Sequence, residues 1–187
     1  MGAPARRRDA AQNRTRILEA ARAAVAESND VPLNEIAKRA GVGQGTLYRH
    51  FPNREALLAE VYRRDVEELV VAASALLTGH QPVEALRHWL DRVIDYADIK
   101  RGVLAALEVA AWQDLAAHSH NPIEGALGHL LDAGKAAGSI RADVDAHGVL
   151  LLISYLGRLD REEWESRARP LMNVILDGLA RRQDADR

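Results

Sequence analysis

The sequence predicts an all-α protein, on three observations. Ala, Leu, Arg and Glu dominate its 187 residues, while aromatics make up only 4% and β-branched runs are scarce; these are strong helix formers. Apolar residues recur three and four apart through most of the chain, the period of an amphipathic helix. Gly and Pro cluster between those stretches, where they punctuate helices. The pattern predicts about nine helices, arranged as a small head and a larger body. Hydrophobic residues make up 48%, enough for a substantial core in a chain of this length.

Residues 1–9 read as a flexible basic arm, with Arg6, Arg7 and Arg8 the densest positive cluster. Asp9 and Gln12 resemble a capping box that opens the first helix. Ile17, Leu18, Ala21, Ala24 and Val25 then recur at helical spacing, Asn29 and Asp30 stop the helix, and Pro32 follows. A second short helix, 33–40, sets Leu33, Ile36, Ala37 and Ala40 on one face; Gly41 ends it in a left-handed conformation. A third runs over 44–50 and closes at Pro52. Asn53 caps a long connecting helix over 54–78, with Glu55 in its first turn. Its stripe includes Leu57, Leu58, Val61, Tyr62, Val66 and Leu69. Further helices are expected over 82–98, 101–114, 121–137, 145–159 and 163–182, with breaks at Lys100-Arg101-Gly102, Ser119 to Pro122 and Gly138 to Asp145. The head is thus 10–53, and the regulatory and dimerisation body 79–187.

Charge separates head from body. Residues 1–64 hold twelve Lys and Arg against seven Asp and Glu; residues 65–187 hold thirteen against twenty. A basic head suggests that only the head meets a polyanion. There is no cysteine, which excludes disulfides, thiolate metal sites and cysteine nucleophiles and fits a cytoplasmic protein. The N-terminal arginines precede no apolar stretch, so no secretory signal is expected. No run approaches about 18 apolar residues, so no membrane partner is expected.

The stretch AGVGQGTLYRHFPNR, residues 40–54, carries the functional signal. Two short helices joined by a glycine turn make a helix-turn-helix over 32–51. Ala37 is small where the helices cross, and Gly41 tolerates positive φ. Val42 tucks beneath the turn, while Leu47 and Phe51 anchor the second helix opposite Ile36. A short helical hairpin with no DNA role satisfies the same packing. The outward residues Gln44, Thr46, Tyr48, Arg49 and His50 suit a helix in the major groove. Gln44 can pair with adenine and Thr46 can meet a base edge or a thymine methyl. Gly45 admits close backbone approach. Tyr48, His50 and Arg54 are placed for phosphates, aided by the N–H groups that open the fourth helix.

From Thr15 to Glu60 the chain resembles the N-terminal domain of the TetR family of bacterial transcriptional regulators. The resemblance rests on Thr15, Ile17, Leu18, Ala20 and Ala21; on Ile36, Ala37, Gly41 and Val42; on Gly45-Thr46-Leu47-Tyr48 and His50-Phe51; and on Glu55 with Leu57-Leu58. It implies a homodimer on a palindromic double-stranded DNA operator, released when a small-molecule effector occupies the body. It also brings Thr15 and Asn34 among the DNA contacts. Gly43 stands where the family often has a capping serine, and Arg54 where a lysine is common.

The body then has two tasks. Reading heads must be held about 34–36 Å apart, and the last two helices suit that role. GVLLLISYLGRL, residues 148–159, is apolar on nearly all sides, as a helix buried all round would be. Interface candidates are Leu151, Leu152, Tyr155, Leu159, Trp164, Leu171, Ile175 and Leu179. Candidates for the wall of an effector cavity are Trp89, Tyr96, Leu104, Glu108, Trp112, Leu127 and Leu131, residues that equally suit plain core. His118 and His120 lie near Asp114, with His129 further on, but no strong metal spacing such as His-Glu-x-x-His occurs, and no metal is expected. No serine sits in a nucleophile elbow and no phosphate loop follows a strand, so no enzyme and no cofactor are expected. A helical small-molecule-binding module that does not use DNA is the alternative.

Overall fold

A computed structural model describes residues 3–27, 31–106 and 109–181. Asn29 and Asp30, read as the stop of the first helix, lie outside the described residues. Eight α-helices occur among them: α1 (Ala3–Glu27), α2 (Leu33–Arg39), α3 (Gln44–His50), α4 (Arg54–Gly79), α5 (Pro82–Ala106), α6 (Val109–Ala136), α7 (Ala146–Leu156) and α8 (Arg161–Leu179).

Among the described residues two of the expected breaks are helical, and the expected 101–114 helix is divided between α5 and α6. α5 continues through Lys100-Arg101-Gly102, and α6 through Ser119 to Pro122. Gly costs about 1 kcal/mol relative to Ala in a helix, and Pro about 3. Burying one large apolar side chain contributes roughly 1.5–3 kcal/mol. Ile99 and Val103 are buried on either side of the first break, and Ile123, Leu127, Leu130 and Leu131 just after the second. Burial therefore outweighs the local penalty at both. The same holds at Pro170 inside α8, between buried Ala168 and Met172.

The termini of helices follow capping chemistry. α1 begins at Ala3, so the expected arm is largely helical and Asp9 and Gln12 lie inside the helix. Alanines and arginines are good helix formers, and Pro4 sits in the first turn, where a missing N–H is tolerated. Asn53 Oδ1 accepts from the Ala56 N–H at 2.8 Å, capping α4. Asp145 caps α7 through the Gly148 N–H at 2.7 Å. α7 stops at Leu156, short of the expected 159. Asp160 and Glu163 form a reciprocal capping box that opens α8.

Two compact units emerge. One comprises Met1–Asp65 and Asp98–Ala116, the other Val66–Ala97 and Ala117–Arg187. In the first, α1, α2 and α3 pack on one another around Ile17, Leu18, Ile36, Leu47, Phe51, Leu57 and Leu58. Arg22 reaches buried Asp65 at 2.9 Å and ties α1 to α4. In the second, α7 packs on α8, and Arg169 pairs with Asp91 at 2.8 Å, tying α8 to α5. Trp89 is buried there and its indole N–H donates to the Leu69 carbonyl at 2.9 Å. A single antiparallel bridge, Ile140 with Ala180, is the β pairing among the described residues. No helix among them is long and apolar enough to cross a membrane.

Candidate nucleic-acid interface

The turn between α2 and α3 is built by hydrogen bonds that satisfy the last carbonyls of α2. The Gly41 N–H donates to the Lys38 carbonyl at 3.1 Å, and the Val42 N–H to the Ala37 carbonyl at 3.0 Å. This is a Schellman closure, which needs a left-handed residue at its bend. Gly41 supplies it with φ +64°. α3 then starts at Gln44, after Gly43 caps it in extended conformation without any side-chain bond.

Helical period decides which side of α3 faces out. Leu47 is 1% exposed, and Phe51, just past the helix, is also buried. Ile36 and Ala37 of α2 are buried in the same unit. With that side fixed inward, Gln44, Gly45, Tyr48 and Arg49 are exposed, Tyr48 by 51%, while Thr46 and His50 are half-buried at the rim. A Cβ added at Gly43 or Gly45 would meet nothing within 4 Å. The start of α3 is thus bare backbone flanked by donors, open to the close approach of a partner.

The remaining predicted contacts divide. Thr15 is exposed, and its hydroxyl donates to the Ala11 carbonyl at 3.2 Å. Asn34 is exposed at the start of α2, with its side-chain oxygen accepting from the Glu35 N–H at 2.8 Å. Arg54 is half-buried and its guanidinium donates to the Val31 carbonyl, so it braces the segment entering α2.

Three arginines that sequence reasoning passed over shape the surroundings. Arg14 lies over the Phe51 ring at 5.4 Å and pairs with Glu60. Arg16 donates to Asn13 at 2.5 Å, and its guanidinium is the group a Cβ added at Gly41 would meet, at 3.6 Å. Arg39 joins Glu27 at 2.7 Å and Glu35 at 3.4 Å. Donation to the Glu27 carboxylate chiefly holds the Arg39 pKa above its ordinary value. The available signal was the basic density of NRTR on α1 and the i,i+4 pair Glu35–Arg39.

The comparison with known proteins bears on this head and on the rest. Residues 17–61 match the model described as bacterial regulatory proteins, tetR family. Residues 81–181, more than half the chain, match that of the transcriptional regulator SbtR-like, C-terminal domain. The chain belongs to the TetR family of bacterial transcriptional regulators. A TetR transcriptional regulator from Streptomyces coelicolor is 38% identical, covers 90% of this chain and 99% of its own, and superposes with a TM-score of 0.80. A TetR transcription regulatory protein from Mycobacterium vanbaalenii is 37% identical over 94% of this chain and 99% of its own, with a TM-score of 0.75. An HTH-type transcriptional regulator of Staphylococcus aureus (strain USA300) is 31% identical over 105 residues, 54% of this chain; the match spans 57% of that relative's length.

In this TetR-family body the candidate residues fall into three groups. Trp89, Tyr96, Leu127 and Leu131 are buried. The side chains of Leu104 and Trp112, and the whole of Glu108, lie outside the described residues. An open cleft beside Arg141, Asp143, Asp177 and Arg181 includes none of them. Burial pushes the Lys100 ammonium on α5 below the usual lysine range.

The interface candidates also split. Leu151, Leu152, Tyr155 and Leu171 are exposed, while Leu159 and Ile175 are half-buried. Trp164 and Leu179 are buried in the core of their own unit. α7 is not enclosed on all sides: Val149 and Ile153 are its buried residues, and its opposite side is open. Val174, which the sequence did not single out, is 67% exposed on α8.

Proposed function

We propose that this TetR-family chain is a sequence-specific DNA-binding repressor, bound to a palindromic operator as a homodimer and released by a small-molecule effector. The observation that carries the proposal is the outward face of α3. Leu47 locks the helix inward, so Gln44, Tyr48 and Arg49 and the bare backbone at Gly43 and Gly45 point away from the core. Gln44 and Thr46 read base edges. Tyr48, Arg49 and His50 hold phosphates and set the register. Arg54 contributes by bracing the turn rather than by phosphate contact alone.

The exposed apolar residues of α7 and α8 support the homodimer. Leu151, Leu152, Tyr155, Leu171 and Val174 leave apolar surface in water, and its removal is favourable by about 25 cal/mol per Å². A two-fold pairing of α7 and α8 with their copies makes a four-helix interface and supplies the symmetry a palindrome requires. Release needs an effector that prefers the arrangement unable to span the two half-sites. Moving the population from 1:99 to 99:1 takes about 5.5 kcal/mol of differential affinity.

The test is selection of bound duplexes from a random pool, followed by binding of the enriched duplex across salt concentrations. A palindrome with constant half-site spacing is expected, with log affinity falling by roughly 0.9 per phosphate neutralised for each log unit of salt. A helical module that ignores DNA would enrich no sequence.

A further inference from the structure

Three potential metal ligands converge where α7 crosses α6. His120 and Glu124 lie one turn apart on α6, with His120 Nε2 3.1 Å from Glu124 Oε2. Gly128 continues the same stripe one turn later. A Cβ at Gly128 would stand 3.7 Å from Ala146 Cβ, the first residue of α7. The small residue thus lets α7 begin close against α6. Asp145 caps that beginning, which places His147 in the first turn of α7. Its Nδ1 lies 3.6 Å from the same Glu124 Oε2. The two imidazole rings stand nearly perpendicular, at 82°, with centroids 6.2 Å apart. The three ligand atoms all lie within 4.8 Å of one another.

These separations suit one ion. Zinc binds histidine nitrogen and carboxylate oxygen at about 2.0–2.2 Å in tetrahedral geometry, which sets ligand atoms roughly 3.3 Å apart. The two edges to Glu124 Oε2, 3.1 and 3.6 Å, bracket that value. Two imidazoles and one carboxylate leave a fourth position for water. Nitrogen and oxygen donors without thiolate favour late first-row divalent ions over copper(I). We propose that His120, Glu124 and His147 form a binding site for such an ion, zinc(II) foremost, which staples the start of α7 to α6. Spacing could not reveal it, because His147 lies on α7 while His120 and Glu124 lie on α6. A second cluster, His80, Glu84 and His88, lies on one continuous segment. It spans the turn after α4 and the start of α5, neighbours in sequence, and its His88–Glu84 separation is longer, at 3.9 Å.

The site has a consequence for α7, the helix that presents Leu151, Leu152 and Tyr155. An ion at its first turn fixes the end from which that face projects. The proposal stands independently of DNA binding.

The experiment titrates the full chain with zinc chloride against a chromogenic zinc chelator, and measures thermal unfolding with and without zinc. Three variants are compared: His147→Ala, Glu124→Gln and the double variant His80→Ala/His88→Ala. The wild type is expected to bind one zinc per chain at this cluster and to gain thermal stability from it. His147→Ala and Glu124→Gln are each expected to lower that affinity about tenfold or more, since even outer-shell changes cost 10–100-fold, and to lose the stability gain. His80→Ala/His88→Ala is expected to retain both. Circular dichroism checks that each variant is folded, and the exposure of His147 makes that the expected result. Equal zinc affinity in His147→Ala, loss confined to the His80/His88 variant, or no stoichiometric binding in the wild type would each overturn the proposal.

Discussion

α3 and α7 are both short helices pinned on one side by buried apolar residues, Leu47 in α3 and Val149 with Ile153 in α7. They differ in what they turn outward. α3 shows an amide, a phenol, a guanidinium and bare glycine backbone; α7 shows Leu151, Leu152 and Tyr155. Polar donors are satisfied by water and exchange it for phosphate and base edges when DNA arrives. Exposed leucines have no comparable partner in water and favour whatever removes them from it. A face like that of α3 is therefore stable alone and selective when bound. A face like that of α7 favours a standing partner, and the same face on a second copy provides one by symmetry.

The largest effect should come from charging the apolar face. Leu152→Glu with Tyr155→Glu should turn the proposed dimer into a folded monomer, because a two-fold interface would bury the new charges twice, at roughly 3–5 kcal/mol for an unpaired buried charge. Sedimentation reads the assembly. Operator affinity should fall about 10²–10⁴-fold as two-headed binding is lost. A dimer that survives both charges places the interface elsewhere.

Neighbouring residues on α3 should separate stability from binding. Leu47→Ala should cost about 2–5 kcal/mol in urea unfolding, as a buried large-to-small change. Tyr48→Ala should change stability by less than about 0.5 kcal/mol yet weaken every duplex. Gln44→Ala and Thr46→Ala should instead blur discrimination at particular base pairs, by about 1–3 kcal/mol each. Matched losses for Leu47 and Tyr48 in both assays would remove the distinction between inner and outer faces.

Gly41→Ala should cost about 1–2 kcal/mol from its left-handed backbone. The nearest group to a new Cβ is the Arg16 guanidinium at 3.6 Å, so no clash adds to it. The smallest signature belongs to Lys100, on neither face. Its folded pKa is lowered by burial, so the unfolded chain holds that proton more tightly. Stability should rise as pH climbs through the lowered pKa towards the ordinary 10.5. Lys100→Met should remove that rise, as read by melting temperature across alkaline pH.

The helix-turn-helix was legible because its constraints are local. Ile36, Ala37, Gly41, Leu47 and Phe51 span sixteen positions, and each residue type suits one geometry. Boundaries in the body were not legible, since Gly102 and Pro122 read as breaks until the burial of Ile99, Val103 and Leu127 is known. Trp164, Leu171 and Leu179 recur at helical spacing, but spacing does not say which neighbour covers a residue. Trp164 and Leu179 turn into their own unit, while Leu171 lies at its edge with Val174 beyond. The His120–Glu124–His147 cluster joins residues of two helices, and Arg14 reaches Phe51 from another helix. Such pairings depend on packing that no spacing rule carries.

The absence of cysteine permits one direct measurement. A Gln44→Cys variant, labelled with an iron chelate that cleaves DNA near its attachment point, should cut the selected duplex at two places related by its dyad, about 10–10.5 base pairs apart or a multiple of that turn. Leu152→Cys labelled in the same way should cut nothing. Cleavage at a single site, or equal cleavage from both positions, would show that α3 does not lie in the groove in two symmetric copies.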